Sequence, residues 1–161
     1  MKIEIDQSGK LEDTHQDTVI AYANGKTGSL KVRSATKRAV QKIFRALGEP
    51  RSYIIHTFTT LIFLLIEGEL SEVSDIVIDI EYPGFEIVIS KLLATIGKGE
   101  NRTMPDVYFK LVGKSARCHR IAIQTFRRKL KANKVVSPSE LQKALFSVNK
   151  KGRPALKYHL P

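Results

Sequence analysis

The sequence predicts an α/β protein with a five-stranded mixed sheet and helices on both faces. Three short segments of alternating or β-branched residues come first, within residues 2–34. Two more apolar, strand-like segments follow at 75–81 and 106–112, each preceded by helical periodicity. Short turns join antiparallel strands, whereas strand–helix–strand crossovers join parallel ones. The predicted order is therefore βββαβαβα, in a chain of 161 residues that suits one domain with a tail.

The first three strands are predicted from side-chain alternation and turn residues. Residues 2–6 alternate isoleucine with acidic residues, and residues 18–24 are rich in β-branched and aromatic side chains. Asn24-Gly25 is a strong hairpin signal before the third strand, residues 29–34. Three consecutive antiparallel strands are the expected result.

Helical periodicity, capping residues and glycines define the other segments. We expect a mobile or nucleic-acid-seeking tail in the last dozen residues, which are polar and basic. The chain would then divide into a domain over residues 1–133 and a basic C-terminal extension with a short helix over residues 134–161. The predicted helices run from Ser34 to Gly48, from Pro50 to Gly68, from Phe85 to Ile96, from Ser115 to about Ala132, and from Ser137 onward.

Charge is unevenly distributed along the chain, whose formal net charge is +11. Residues 1–97 hold 11 Lys/Arg and 13 Asp/Glu, a net charge of −2, and residues 98–161 hold 16 Lys/Arg and 3 Asp/Glu, a net charge of +13. So basic a half should create a strong positive field, for which nucleic acid, either DNA or RNA, is the commonest polyanionic partner. The alternative is a solubilising surface like those of heat-loving organisms, although these usually balance lysine with glutamate.

Composition and motifs argue against several classes of protein. A single cysteine, Cys118, leaves no intramolecular disulfide and suits a cytoplasmic protein. The most apolar segment, residues 54–66, is shorter than the roughly 20 residues that span a bilayer, so we expect no membrane partner. It predicts a buried helix, and a homodimer through the apolar helix 51–67 is the alternative. The sequence contains no glycine-rich phosphate loop, zinc-ligand spacing or nucleophile elbow.

Two carboxylates come at the ends of predicted strands. Asp6 ends the first strand and Glu81 ends the fourth. If these strands are parallel neighbours, both carboxylates lie at the carboxyl edge of the sheet, where ligands of open α/β sheets bind. Mg²⁺ or Mn²⁺ would relieve their repulsion. The alternatives are an Asx-turn at Asp6 and a solvated glutamate at Glu81, while Asp79 is expected about 7 Å back along the strand as a spare carboxylate.

Three stretches resemble the ribonuclease H-like superfamily, and RuvC-type Holliday-junction resolvases in particular. IEIDQSG resembles the first strand with its metal-binding aspartate, DIVIDIEYPG the fourth strand, and KSARCHRIAIQTF the last helix. The resemblance covers residues 1 to about 133. It implies that Asp6, Glu81 and His119 are catalytic metal ligands and that the chemistry is metal-dependent hydrolysis of a phosphodiester. The last helix is basic here, where RuvC-type enzymes usually carry further carboxylates.

Basic residues near the predicted last helix are candidates for phosphate contacts. A helix start favours phosphate binding through backbone N–H groups and charge, and the alternative for the later arginines is a solvated face. We expect a divalent-metal-dependent nuclease of structured DNA or RNA, or else a non-catalytic nucleic-acid-binding protein with a degenerate site. The candidate nucleic-acid-binding residues are Lys114, Ser115, Arg117, Arg120, Arg127 and Arg128.

Overall fold

The computed structural model describes residues 1–160 and confirms the α/β class. A mixed sheet of six strands, in the order β5-β4-β1-β2-β3-β6, carries helices on both faces, and a separate two-stranded hairpin follows. The strands are β1 Lys2–Ser8, β2 Thr18–Ala23, β3 Gly28–Val32, β4 Asp75–Asp79, β5 Asp106–Lys110, β6 Lys134–Val135, β7 Phe146–Val148 and β8 Pro154–Leu156. The helices are α1 Ser34–Ala46, α2 Tyr53–Ile66, α3 Glu86–Gly99, α4 Arg117–Phe126 and α5 Pro138–Leu145.

Strand directions agree with the sequence prediction. β2 runs antiparallel to both β1 and β3, and the turn between β2 and β3 places Asn24 and Gly25 at positive φ, 84° and 86°. β4 pairs in parallel with β1, and β5 in parallel with β4. The prediction of five strands was wrong by one, because β6 pairs in parallel with β3. At two residues, β6 is too short for side-chain alternation to reveal it.

Four helices cover one face of the sheet, and α2 lies at the centre of that layer. Twelve of its fourteen residues are buried, and it packs against α1, α3 and α5. Burial in the protein's own core therefore accounts for the apolar composition of α2. The apolar side chains that could have formed a homodimer interface are covered by the neighbouring helices. Within residues 1–160, no helix combines the length and the apolar character needed to cross a bilayer.

Helix α4 packs alone on the opposite face, against β1, β2 and β3. Its buried side chains, Cys118, Ala122 and Thr125, are small, and so is that of Ala21 of β2. Small residues let the helix lie close to the sheet. The helix is shorter than predicted, because Arg128 adopts a left-handed φ of 62° just after its end. On this face Tyr108 of β5 is 52% exposed, whereas Val77 of β4 is buried.

The C-terminal segment packs against the helical layer through Leu156 and Tyr158, so these residues do not form the expected mobile tail; a role of the tail in binding nucleic acid stays a prediction, and Pro161 lies outside the described residues. β7 and β8 form an antiparallel hairpin. Beyond it, the Tyr158 hydroxyl donates to Glu100 at 2.6 Å, and the Tyr158 carbonyl lies 3.2 Å from His56 Nε2. The predicted short helix is present as α5, capped by the Ser137 side chain.

Gly9 ends β1 at a position where only glycine fits. Its φ is +79°, and an added Cβ would overlap the Asp17 carbonyl oxygen and lie 2.6 Å from Phe126 of α4. We expect Gly9→Ala to destabilise the protein by about 2–4 kcal/mol in urea unfolding. Gly48→Ala is the matched control, because Gly48 has a similar φ of +73° but no atom within 4 Å of the added Cβ. It should cost only about 1 kcal/mol, and equal losses would refute the steric explanation.

Candidate metal centre

Three carboxylates converge at the carboxyl edge of the sheet. Asp6 of β1, Asp79 of β4 and Glu81 just beyond β4 each place an oxygen within 4.8 Å of the other two. We call these three residues the acidic cluster. Asp6 is 4% exposed and the other two are half-buried. The structure therefore brings together the two carboxylates singled out from the sequence, and Asp79 is part of the cluster rather than a spare group behind it.

A tight turn after β4 explains why Asp79 and Glu81 meet. β4 ends at Asp79, two residues earlier than predicted. The Glu81 N–H then donates to the Asp79 carbonyl at 2.9 Å, which folds the chain back on itself. Strand alternation at 3.3 Å per residue no longer applies across this turn. The two side chains consequently lie side by side instead of about 7 Å apart.

Fixed donors hold two of the carboxylates in place. The Gln7 N–H donates to Asp6 Oδ1 at 2.7 Å, and the Val112 N–H donates to Asp79 Oδ1, also at 2.7 Å. His119 Nδ1 lies 2.7 Å from Asp6 Oδ2. These contacts orient the carboxylates before any ligand arrives and leave part of their oxygen lone pairs free.

His119 reaches the site from α4, as the resemblance implied, but it contacts Asp6 and is not one of the three clustered ligands. An ionised carboxylate only accepts hydrogen bonds, so Nδ1 donates to Asp6 and Nε2 remains the free ring nitrogen. The imidazole is 26% exposed. His119 therefore orients Asp6 and is one of the residues that line the cavity.

Charge repulsion within the acidic cluster is visible in the pKa of Glu81. Burial, followed by the negative charges of Asp6 and Asp79, raises the pKa of Glu81 to about 8. A proton held between carboxylates relieves their repulsion, and a divalent cation would relieve it more completely.

Gln7 follows Asp6 in β1 and has an unpartnered side-chain oxygen. Its side chain is 6% exposed, and Nε2 donates to the Tyr82 hydroxyl at 3.0 Å. Its Oε1 is buried without a hydrogen-bond partner among the described residues. Gln7 also lines the cavity above the acidic cluster. Side chains alternate along a strand, so the Gln7 amide lies on the opposite face of β1 from Asp6 and is not part of the acidic cluster.

A cavity of about 260 Å³ opens above the acidic cluster. His119 lies on one side of it, and the loop after β5 contributes Leu111, Gly113 and Lys114. Gly113 has a φ of +87°, which lets this loop turn at the rim. Lys114 brings a positive charge to a site that is otherwise acidic.

The other predicted phosphate contacts are spread along α4. We predicted that Ser115 starts this helix. The helix begins two residues later, at Arg117, so Ser115 lies in the preceding loop. Arg117 and Arg120 are exposed in the first turns, on the helix that carries His119. The second pair, Arg127 and Arg128, is also exposed but follows the helix end, about 15 Å away by helical rise. None of the four arginines forms a salt bridge within residues 1–160.

Comparison with known proteins finds no relative of this chain. The chain matches no protein-family model, no curated protein and no solved structure.

Proposed function

We propose that this chain is a divalent-metal-dependent nuclease with a ribonuclease H-like fold. The element order supports the fold proposal: three antiparallel strands come first, and two crossovers then add β4 and β5 in parallel. The first strand and β4 are neighbours, as the motif resemblance requires for their acidic ends to meet.

The acidic cluster is the observation that carries the activity proposal. Three carboxylates within 4.8 Å of one another repel each other, and burial strengthens that repulsion. Lys114 is the one lysine that lines the cavity among the described residues, and Lys110 pairs with Glu4 instead, at 2.8 Å. Asp6, Asp79 and Glu81 would hold Mg²⁺ or Mn²⁺. A bound ion of this kind supplies an activated water and polarises the phosphate.

The chain's own residues would position the reaction around that site. His119 holds Asp6 through Nδ1 and can accept a proton at Nε2, which is the role of a general base. Lys114 at the cavity rim would bind a phosphate oxygen, and Arg117 and Arg120 would bind the adjacent backbone. Phosphate contacts fix the position of a nucleic acid but do not read its sequence.

The second candidate function is nucleic-acid binding without catalysis. The basic half of the chain supports it, because binding requires that charge and does not require the acidic cluster. Replacing Asp6 would then leave affinity unchanged or raise it, since a negative charge near the phosphates is lost.

The test is a cleavage assay with Mg²⁺ or Mn²⁺ on a four-way junction, an RNA–DNA hybrid, a duplex and single strands. Asp6→Asn keeps the side-chain shape and removes the charge, and Glu4→Gln is the matched control on the same face of β1. We expect metal-dependent cutting of at least one substrate, lost in Asp6→Asn and in chelator but kept in Glu4→Gln. No cutting by the wild type, with salt-sensitive binding that Asp6→Asn leaves intact, would reject the nuclease in favour of the binding protein.

A further inference from the structure

We propose that two copies of the chain associate through the outer edge of β5, as antiparallel neighbours that join the two sheets into one. β5 is an end strand of the sheet, and within residues 1–160 no strand pairs with its outer edge. Such an edge exposes a row of backbone N–H and C=O groups that another strand can pair with. This assembly does not depend on the proposed nuclease activity.

Backbone directions along β5 determine which residues could pair outward. The Ile80 N–H donates to the Lys110 carbonyl at 3.1 Å, so the backbone groups of Lys110 face β4. These groups alternate along a strand, so those of Val107 and Phe109 face outward. A two-fold axis through Tyr108 would place Val107 of one copy opposite Phe109 of the other, as a hydrogen-bonded pair that exchanges both backbone bonds.

In this register the side chains of β5 in one copy are complementary to those of β5 in the other. Asp106 of each copy lies opposite Lys110 of the other; both residues are exposed, and Lys110 also contacts Glu4 of its own chain at 2.8 Å. Val107 lies opposite Phe109 on the other face, and Tyr108 lies opposite its own copy. Opposite-charge, apolar and aromatic cross-strand pairs all stabilise antiparallel strands. No other antiparallel register of this five-residue strand pairs the acid with the base, so the charges select the one centred on Tyr108.

Apolar surface remains open around the same edge. Tyr108 is 52% exposed and Leu111, directly after the strand, is 78% exposed. A groove of about 420 Å³ runs between β5 and α3, where α3 presents the small residues Ser90 and Ala94. Ile87, three residues before Ser90 on the same helical stripe, is 71% exposed. A second copy would cover these apolar side chains, and the groove leaves room for it.

The expected dimer is weak and places both acidic clusters on one side. A pair of five-residue strands buries less than a standard interface, which suggests a Kd in the range of about 1–100 µM. The two-fold axis of an antiparallel pair is perpendicular to the sheet, so both cavities would open on the same face. Strand spacing and rise place the two Asp79 residues about 20 Å apart.

Disulfide trapping tests the register. In Tyr108→Cys the two new thiols face each other across the axis, within the Cα separation that a disulfide accepts. In Asp106→Cys they would be about 13 Å apart. Cys118 stays inert because it is buried, which raises its pKa to about 12. We expect mild oxidation to cross-link Tyr108→Cys and not Asp106→Cys, and equal cross-linking, or none in Tyr108→Cys, would overturn the proposal.

Sedimentation velocity tests association without any new thiol. We expect the wild type to shift from one chain mass towards two as its concentration rises to roughly 100 µM. Tyr108→Lys sets two like charges on the axis and should weaken association at least tenfold. Val148→Lys, at a 74% exposed position on the small hairpin, adds the same charge elsewhere and should have no effect. A monomeric wild type, or an equal loss of association in Tyr108→Lys and Val148→Lys, would overturn the proposal.

Discussion

Replacing Asp79 by asparagine is expected to lower the rate of metal-dependent cleavage by about 10²- to 10³-fold, the loss seen when one group that stabilises developing charge is removed. Asp79 supplies one of the three clustered oxygens, and its other role is to accept the Val112 N–H at 2.7 Å. Asparagine can keep that hydrogen bond through its own side-chain oxygen, so the loop should stay in place. The loss would therefore report on the charge at the metal centre.

Asp75→Asn is the matched control for this prediction. Asp75 begins β4 and lies on the same face of the strand as Asp79, but at the opposite end. Its carboxylate contacts Ser74 at 2.9 Å and does not reach the cavity. We expect cleavage and calorimetric Mn²⁺ affinity to fall in Asp79→Asn and to stay at the wild-type level in Asp75→Asn. An equal loss in both variants would indicate a nonspecific effect of negative charge on β4, and no loss in Asp79→Asn would remove it from the site.

The topology was predictable because the strands carry strong local signals. Alternation in β1 and the Asn24-Gly25 turn specify neighbouring antiparallel strands, and the helical segments before and after β4 require crossovers. The sequence did not reveal contacts between residues that lie far apart along the chain. β6 has two residues and forms because the chain turns at Arg128, just after α4, and returns to β3. The C-terminal residues are polar, and Tyr158 anchors them through a hydroxyl and a carbonyl rather than through a recognisable apolar pattern.

The candidate site was predictable only as far as strand ends can be located. Asp6 and Glu81 were found because each follows an apolar alternating run, and parallel neighbours bring such ends together. Asp79 was misplaced because alternation was extended through two residues that form a turn, and strand boundaries are the least certain part of any pattern.

Glu81→Gln is expected to stabilise the protein in chelator at neutral pH, even though it removes a proposed metal ligand. The pKa of Glu81 is raised from its ordinary value near 4.5 to about 8, first by burial and then by Asp6 and Asp79. Between these two values the folded chain binds a proton that the unfolded chain releases, so the free energy of unfolding falls as pH rises through that window. A neutral glutamine resembles the protonated acid and removes this loss. Because the side chain is only partly buried, we expect about 1–2 kcal/mol, or roughly 2–8 °C in Tm.

Metal ions should reverse the order of stability of the two proteins. Mn²⁺ binds the deprotonated cluster, so saturating Mn²⁺ should raise the Tm of the wild type more at pH 8 than at pH 6, and should raise that of Glu81→Gln much less. Glu12→Gln makes the same change at an exposed position and should behave as wild type in both buffers. A site that is destabilised by its own charges and stabilised by a cation is organised for that cation at a cost to the empty fold. If Glu81→Gln is instead less stable than wild type in chelator across pH 5–8, the acidic cluster is held together by hydrogen bonds within the protein, and the argument for a metal from charge repulsion fails.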